Sequence, residues 1–143
     1  MDHEFTAIVN IYAVPKPKHR NYYKKEWSSK PLFSCAVCVN PYEGGTDRLN
    51  IRLKSLTDGS VVATAPYDGQ HWVHSVVDSA KHYVFVVRNS KMHAWLGVEF
   101  RDPTDSTLFS LTIQKFMQRR MLEYTGMSAW SILPKRVESS SAV

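Results

Sequence analysis

The spacing of apolar residues along this chain changes period once. In RLNIRLKSL, Leu49, Ile51 and Leu53 alternate with Arg48, Asn50, Arg52 and Lys54, the period of two that marks a half-buried β-strand. FTAIVNIYAV near the start carries β-branched and aromatic side chains on both faces and predicts a long first strand. LFSCAVCV, SVVATAP, HWVHSVV, YVFVVR and HAWLGVEF predict five more. Turn formers separate them. NPYEGGTD closes LFSCAVCV, TDG marks a hairpin, DSAKH joins HWVHSVV to YVFVVR, and NSK precedes HAWLGVEF.

From Pro103 the period becomes helical. Phe109, Ile113, Phe116, Met117, Met121 and Tyr124 fall on one face of an amphipathic helix of about five turns. Asp102 or Asp105 can cap its start, Pro103 suits its first turn, and Gly126 is a natural stop. Strands this regularly spaced, with no helix between them, predict an antiparallel sandwich or barrel. The single helix must lay its apolar stripe on something. Covering the open end of a seven-stranded curled antiparallel sheet is the economical solution, which predicts a mainly β, pleckstrin-homology-like superfold. The competing arrangement is an eight-stranded closed barrel with the helix outside. The expected division is one domain over residues 1–126 and a C-terminal extension over 127–143, where SAWSILP carries Trp130 in an apolar run that must fold back or form a contact patch.

Composition narrows the function. With 143 residues, 43% apolar and 22% charged, the chain has the make-up of one globular domain. The net charge of +5 favours anionic partners. The excess is concentrated: Lys16, Lys18, Arg20, Lys24 and Lys25 lie together in VPKPKHRNYYKKEW, the connection between the first two strands. Basic residues confined to one segment do not track a nucleic-acid groove, so no nucleic-acid partner is expected. No signal peptide and no membrane-spanning run is read, and a cytoplasmic protein, monomeric, is expected.

Candidate chemistry is sparse. Cys35 and Cys38, three apart in a strand, point to opposite faces and lack further zinc ligands. His82 and His93 flank a hairpin across which they can approach, but a metal needs at least one more ligand. There is no G-x-S-x-G, no glycine-rich phosphate loop and no H-E-x-x-H. No catalytic activity, metal or cofactor is expected. Trp27, Trp72 and Trp95 are expected as core or loop anchors.

The strings YYKKEW, VVATAP, VVDSAKHYVFVV and HAWLGVEFRD, in this order and spacing, resemble the amino-terminal domain of the NECAP proteins, the adaptin-ear-binding coat-associated proteins. Tyr23 and Trp27 match its Tyr-x-x-x-Trp. Ala65 and Pro66 match its Ala-Pro after a hairpin. Asp78, Ser79 and Tyr83 match its Asp-Ser before an aromatic strand, and Gly97, Phe100 and Asp102 match its Gly-x-x-Phe-x-Asp before the helix. The resemblance spans about residues 8 to 118. It implies a pleckstrin-homology superfold without enzymatic activity. It also implies an accessory role in clathrin-mediated endocytosis, peripheral to coated vesicles and plasma membrane. The partners implied are the clathrin adaptor complex, endocytic accessory proteins and their short Phe-x-Asp-x-Phe peptides. The opening of the helix departs from the family pattern, because Asp102, Pro103, Thr104 and Asp105 stand where the family has Asp-Arg-Gly-Asp.

Two further expectations concern phosphate. Lys16, Lys18, Arg20, Lys24 and Lys25 can clamp phosphoinositides or an anionic membrane, the alternative function. The turn at Asp78, Ser79 and Lys81 can receive a phosphorylated adaptor segment. Within VPKPKHRNYYKKEW, Tyr23 and Trp27 are expected to anchor the loop structurally, leaving the basic side chains solvated.

Overall fold

The computed structural model describes residues 4–15, 21–40, 48–68, 72–90 and 93–124. The strands are β1 (Phe5–Ala13), β2 (Phe33–Val39), β3 (Leu49–Lys54), β4 (Val61–Tyr67), β5 (Val73–Val76), β6 (Ser79–Arg88) and β7 (His93–Phe100), followed by the helix α1 (Pro103–Tyr124). A short 3₁₀ turn, Lys24–Glu26, lies between β1 and β2. All strand pairs are antiparallel, in the order β4-β3-β2-β1-β7-β6-β5. A contact between β4 and β6 closes six strands into a barrel and leaves β5 as a flap on β6. This is the pleckstrin-homology-like architecture that the element order predicts.

The interior follows from the alternation. Leu49, Ile51 and Leu53 of β3 point inward and are buried, as are Ala7, Val9 and Ile11 of β1. Cys35 joins this core, whereas Cys38 is buried outside that cluster, near the Thr6 hydroxyl at 3.9 Å. α1 plugs the open end with Phe109 and Phe116. The Phe109 ring meets Phe85, Phe100 and Tyr83 at centroid distances of 5.5, 5.2 and 5.2 Å. Ile113 and Met117 pack at the margin of the core. Met121, expected on the same stripe, is instead exposed. The buried stripe of α1 runs from Ser106 to Phe116, and the last turns carry less of it. There Arg120 reaches the carbonyl of Asp68 instead. Asp102 caps the helix: its side chain accepts from the Thr104 amide at 2.9 Å, and its carbonyl from Asp105 and Ser106.

Two local expectations change. DSAKH is not a connector, because β6 begins at Ser79 and Val76 pairs directly with it, which shortens the turn to residues 77 and 78. The TDG turn belongs to a longer loop, in which Gly59 takes φ 75° and Asp58 accepts from the Ser60 amide and hydroxyl. β6 is buried on both faces over Val84, Phe85, Val86 and Val87. A continuous apolar run of this kind belongs to a strand covered on both sides, so something must cover the outer face.

Candidate functional site

That cover is the segment after β1. Tyr22 forms a parallel bridge with Val76 on the outer edge of β5, and its carbonyl accepts from the Val77 amide at 2.9 Å. Asp78, in the β5–β6 turn, accepts from the Lys24 and Lys25 amides at 2.7 and 3.2 Å and so holds the 3₁₀ turn against the sheet. These bonds, the Lys24 amide first, keep the Asp78 carboxyl below the usual range. Trp27 then lies over Gly97. A Cβ at Gly97 would come within 2.8 Å of two atoms of the indole and 2.9 Å of Val14. Only hydrogen fits there. Trp27, Val76 and Val84 form a second small core, with Tyr12, Val14 and Tyr22 at its margin. Tyr22, not Tyr23, packs into it; the Tyr23 ring instead faces the Lys25 ammonium at 5.3 Å.

Beside Trp27 lies a polar network. His82 is buried and its ring stands edge-on to the indole at 5.4 Å. The Ser79 hydroxyl lies 2.5 Å from His82 Nδ1, on the side of the ring away from Nε2. That atom faces Glu99 Oε2 at 3.4 Å without a hydrogen bond. Burial pushes the His82 imidazolium down, against the attraction of Glu99. Burial alone would raise the Glu99 carboxyl, but hydrogen bonds from Asn10 at 3.0 Å and Tyr12 at 2.8 Å, with His82 and Lys81 nearby, hold it below the ordinary value. The Tyr12 phenol is pushed up to about 12 by burial and then by Glu99. Lys81 reaches Glu99 at 3.6 Å. His82 and His93 do not meet, because the β6–β7 register puts His82 opposite Glu99 and His93 opposite Arg88, at the two ends of the pair.

A groove of about 740 Å³ runs between the β5–β6 turn and the first half of α1. Val76, Val77, Asp78, Ser79 and Tyr83 form one wall, and Ser106, Thr107, Ser110, Leu111 and Gln114 the other. Val77 and Leu111 are exposed apolar residues that line it. The groove brings Asp78, Ser79 and Tyr83 together from the residues that the sequence singled out. Lys24, Lys25 and Lys81 do not line it, and Lys16, Lys18 and Arg20 lie outside the described residues, as does Trp130. Ala65 and Phe100 sit in the barrel core, and Pro66 is buried opposite Asn50. The helical wall was missed by the search for chemistry. Its signal is the polar stripe Ser106, Ser110 and Gln114 at spacings of four, beside the apolar stripe. Trp95, expected as an anchor, is half exposed on the outer face. Among the described residues no cluster of acids, histidines or cysteines could hold a metal, and no helix is long and apolar enough to cross a membrane.

Two solved structures of the Ran-binding domain of the nuclear pore component Nup2 from Ashbya gossypii share this fold. One gives a TM-score of 0.57 at 7% identity and covers 83% of this chain and 99% of its own. The other gives 0.52 at 7%, with coverage of 80% and 94%. Identity this low establishes common architecture and nothing of the ligand. No curated protein matches the sequence. Residues 4–139 match the family model described as "Protein of unknown function (DUF1681)", and the chain belongs to that family.

Proposed function

We propose that this domain is a non-enzymatic protein-interaction module that takes a short acidic-aromatic peptide in the groove between the β5–β6 turn and α1. The groove itself carries the reading. It has apolar contacts at Val77 and Leu111 for an aromatic side chain and hydroxyl-bearing residues along α1 for a carboxylate. Strand addition to β5, the common way for such domains to hold a peptide, is obstructed here because Tyr22 already occupies that edge. Recognition would therefore rest on side chains. The net charge of +5 assists encounter with an acidic ligand. The solved neighbours, described as Ran-binding domains, lend support as partner-binding modules on the same scaffold.

The resemblance to the NECAP amino-terminal domain supplies the finer reading. The peptides would be of the Phe-x-Asp-x-Phe type, the partner the clathrin adaptor complex, and the setting clathrin-mediated endocytosis. A phosphoinositide grip has less support from the geometry. The amides of Lys24 and Lys25 are already taken by Asp78 and are not free to donate to a phosphate.

Calorimetric titration with a Phe-x-Asp-x-Phe peptide, mapped by amide chemical shifts, tests the proposal. Binding that perturbs Val77, Ser110 and Leu111 and is weakened by Leu111→Glu supports it. Absence of binding at high micromolar peptide, together with failure to retain adaptor core from solution, removes it.

A further inference from the structure

The barrel has a seam. Among the described residues β4 pairs with β6 at one position, Thr64 opposite Arg88, whereas β3–β4 and β6–β7 pair along most of their lengths. From residue 61 to 63, the edge of β4 that faces away from β3 meets no strand among the described residues. Between it and residues 88–90 lies a gap of about 470 Å³, lined by Val61, Val62, Ala63 and Thr64 on one side and Arg88, Asn89 and Ser90 on the other. Every second residue of an antiparallel strand directs its N–H and C=O away from its partner, so this edge offers main-chain donors and acceptors to the gap.

Free edges are ordinarily blunted by lysine, proline or a covering segment. The two outer edges of this sheet are treated differently. β5 is covered by Tyr22 and by the turn that Asp78 holds. β4 presents Val61 and Val62, 48% and 42% exposed, with Ala63. Two β-branched residues favour strand pairing, and no charge on the stretch opposes it. The one irregularity, a register shift at Leu53 and Lys54, lies on the side of β3.

We propose that the β4 edge at the seam is a second docking site, which receives an extended acidic segment of a partner protein by strand addition. The charge selects this occupant over a second copy of the chain. Arg88 is exposed and lines the gap, with its guanidinium 5.7 Å over the Trp72 ring. An incoming carboxylate meets that guanidinium. A second copy paired edge to edge would set Arg88 near Arg88 and a net charge of +5 against another. The site is independent of the groove beside α1, and either can fail alone.

The probe is a soluble peptide alternating valine and glutamate, compared with one alternating valine and lysine, titrated into isotope-labelled protein. The acidic peptide is expected to shift amides at residues 61–64 and 88–90. Val62→Lys and Arg88→Glu should each weaken it by about tenfold or more, while Leu111→Glu leaves it unchanged. Arg88→Gln serves if charge reversal unfolds the protein, and equal thermal midpoints certify the variants. Three outcomes overturn the proposal: no shifts at the seam, equal binding of the lysine peptide, or a peptide-free dimer in sedimentation that Val62→Lys dissociates.

Discussion

The two cores of this domain are built differently on the same strands. The barrel interior is assembled from β1 to β4, β6, β7 and α1, with aliphatic side chains from the strands and stacked aromatics at the plugged end. The outer core has one centre, Trp27, seated over Gly97 and held by the bonds of Asp78 and Tyr22. Of the two, the outer face carries the titratable network of His82, Glu99 and Tyr12. The interior is redundant, since each residue has several apolar neighbours. The outer cover is a short segment fixed at a few points. Its failure is expected to release a local unit, whereas failure of the interior dissolves the fold.

Phe109→Ala should have the largest effect. It removes a fully buried ring against four aromatic neighbours and is expected to cost about 3–5 kcal/mol in the global unfolding of the domain, read by chemical denaturation. Trp27→Ala should cost about 3 kcal/mol and act differently. Amide exchange should accelerate first at residues 22–27 and at Val77, with the barrel amides still protected. An unfolding midpoint equal to that of the wild type would refute the anchoring role of Trp27.

Gly97→Ala probes the same contact from below. The added methyl must displace the indole, at a cost of about 1–3 kcal/mol. Recovery of stability in the double variant Gly97→Ala with Trp27→Leu would show that the clash is with Trp27 alone.

Acid should separate the cores next. The folded His82 pKa is depressed below its ordinary value near 6.5. The unfolded chain therefore binds more protons as the pH falls, and stability present above about pH 6.5 declines through the lower folded value. Glu99, also depressed, adds a loss further down, in the carboxylate range. His82→Gln should flatten the first part of this decline in thermal midpoints measured from pH 7 to pH 5. Curves parallel to the wild type would deny the role of His82. The smallest effect belongs to Lys24→Ala and Lys25→Ala. Both side chains are exposed and their amides, not their ammonium groups, make the bonds to Asp78. Unfolding should be unchanged. Peptide binding should weaken at low salt and converge with the wild type at high salt.

Much of the interior was legible in the chain. The alternation of β3, the seven strands and the stripe of Phe109, Ile113 and Phe116 are local patterns, and Asp102 sits at the cap position that its neighbours define. The outer cover was partly legible, because Trp27 stands out while Tyr22 and Tyr23 are indistinguishable by type. Only the register of Tyr22 against Val76 selects one of them. The groove was hidden for a similar reason. Asp78 and Ser79 lie in a turn, Ser106 and Ser110 on a helix, and no periodicity within either segment records their approach.

The sequence by itself determined the elements, the inward faces and the absence of a familiar catalytic motif, since these depend on residue type and short-range spacing. The tertiary structure decided that β6 is covered twice, that Asp78 serves the backbone of residues 24 and 25, that His82 faces Glu99 instead of His93, and that, among the described residues, one sheet edge is covered while residues 61–63 at the other meet no strand. Each of these is a contact between segments distant in the chain, fixed by strand register and barrel closure. A shift of one residue in register turns every side chain of a strand to the opposite face, and no local pattern of a single chain carries that information.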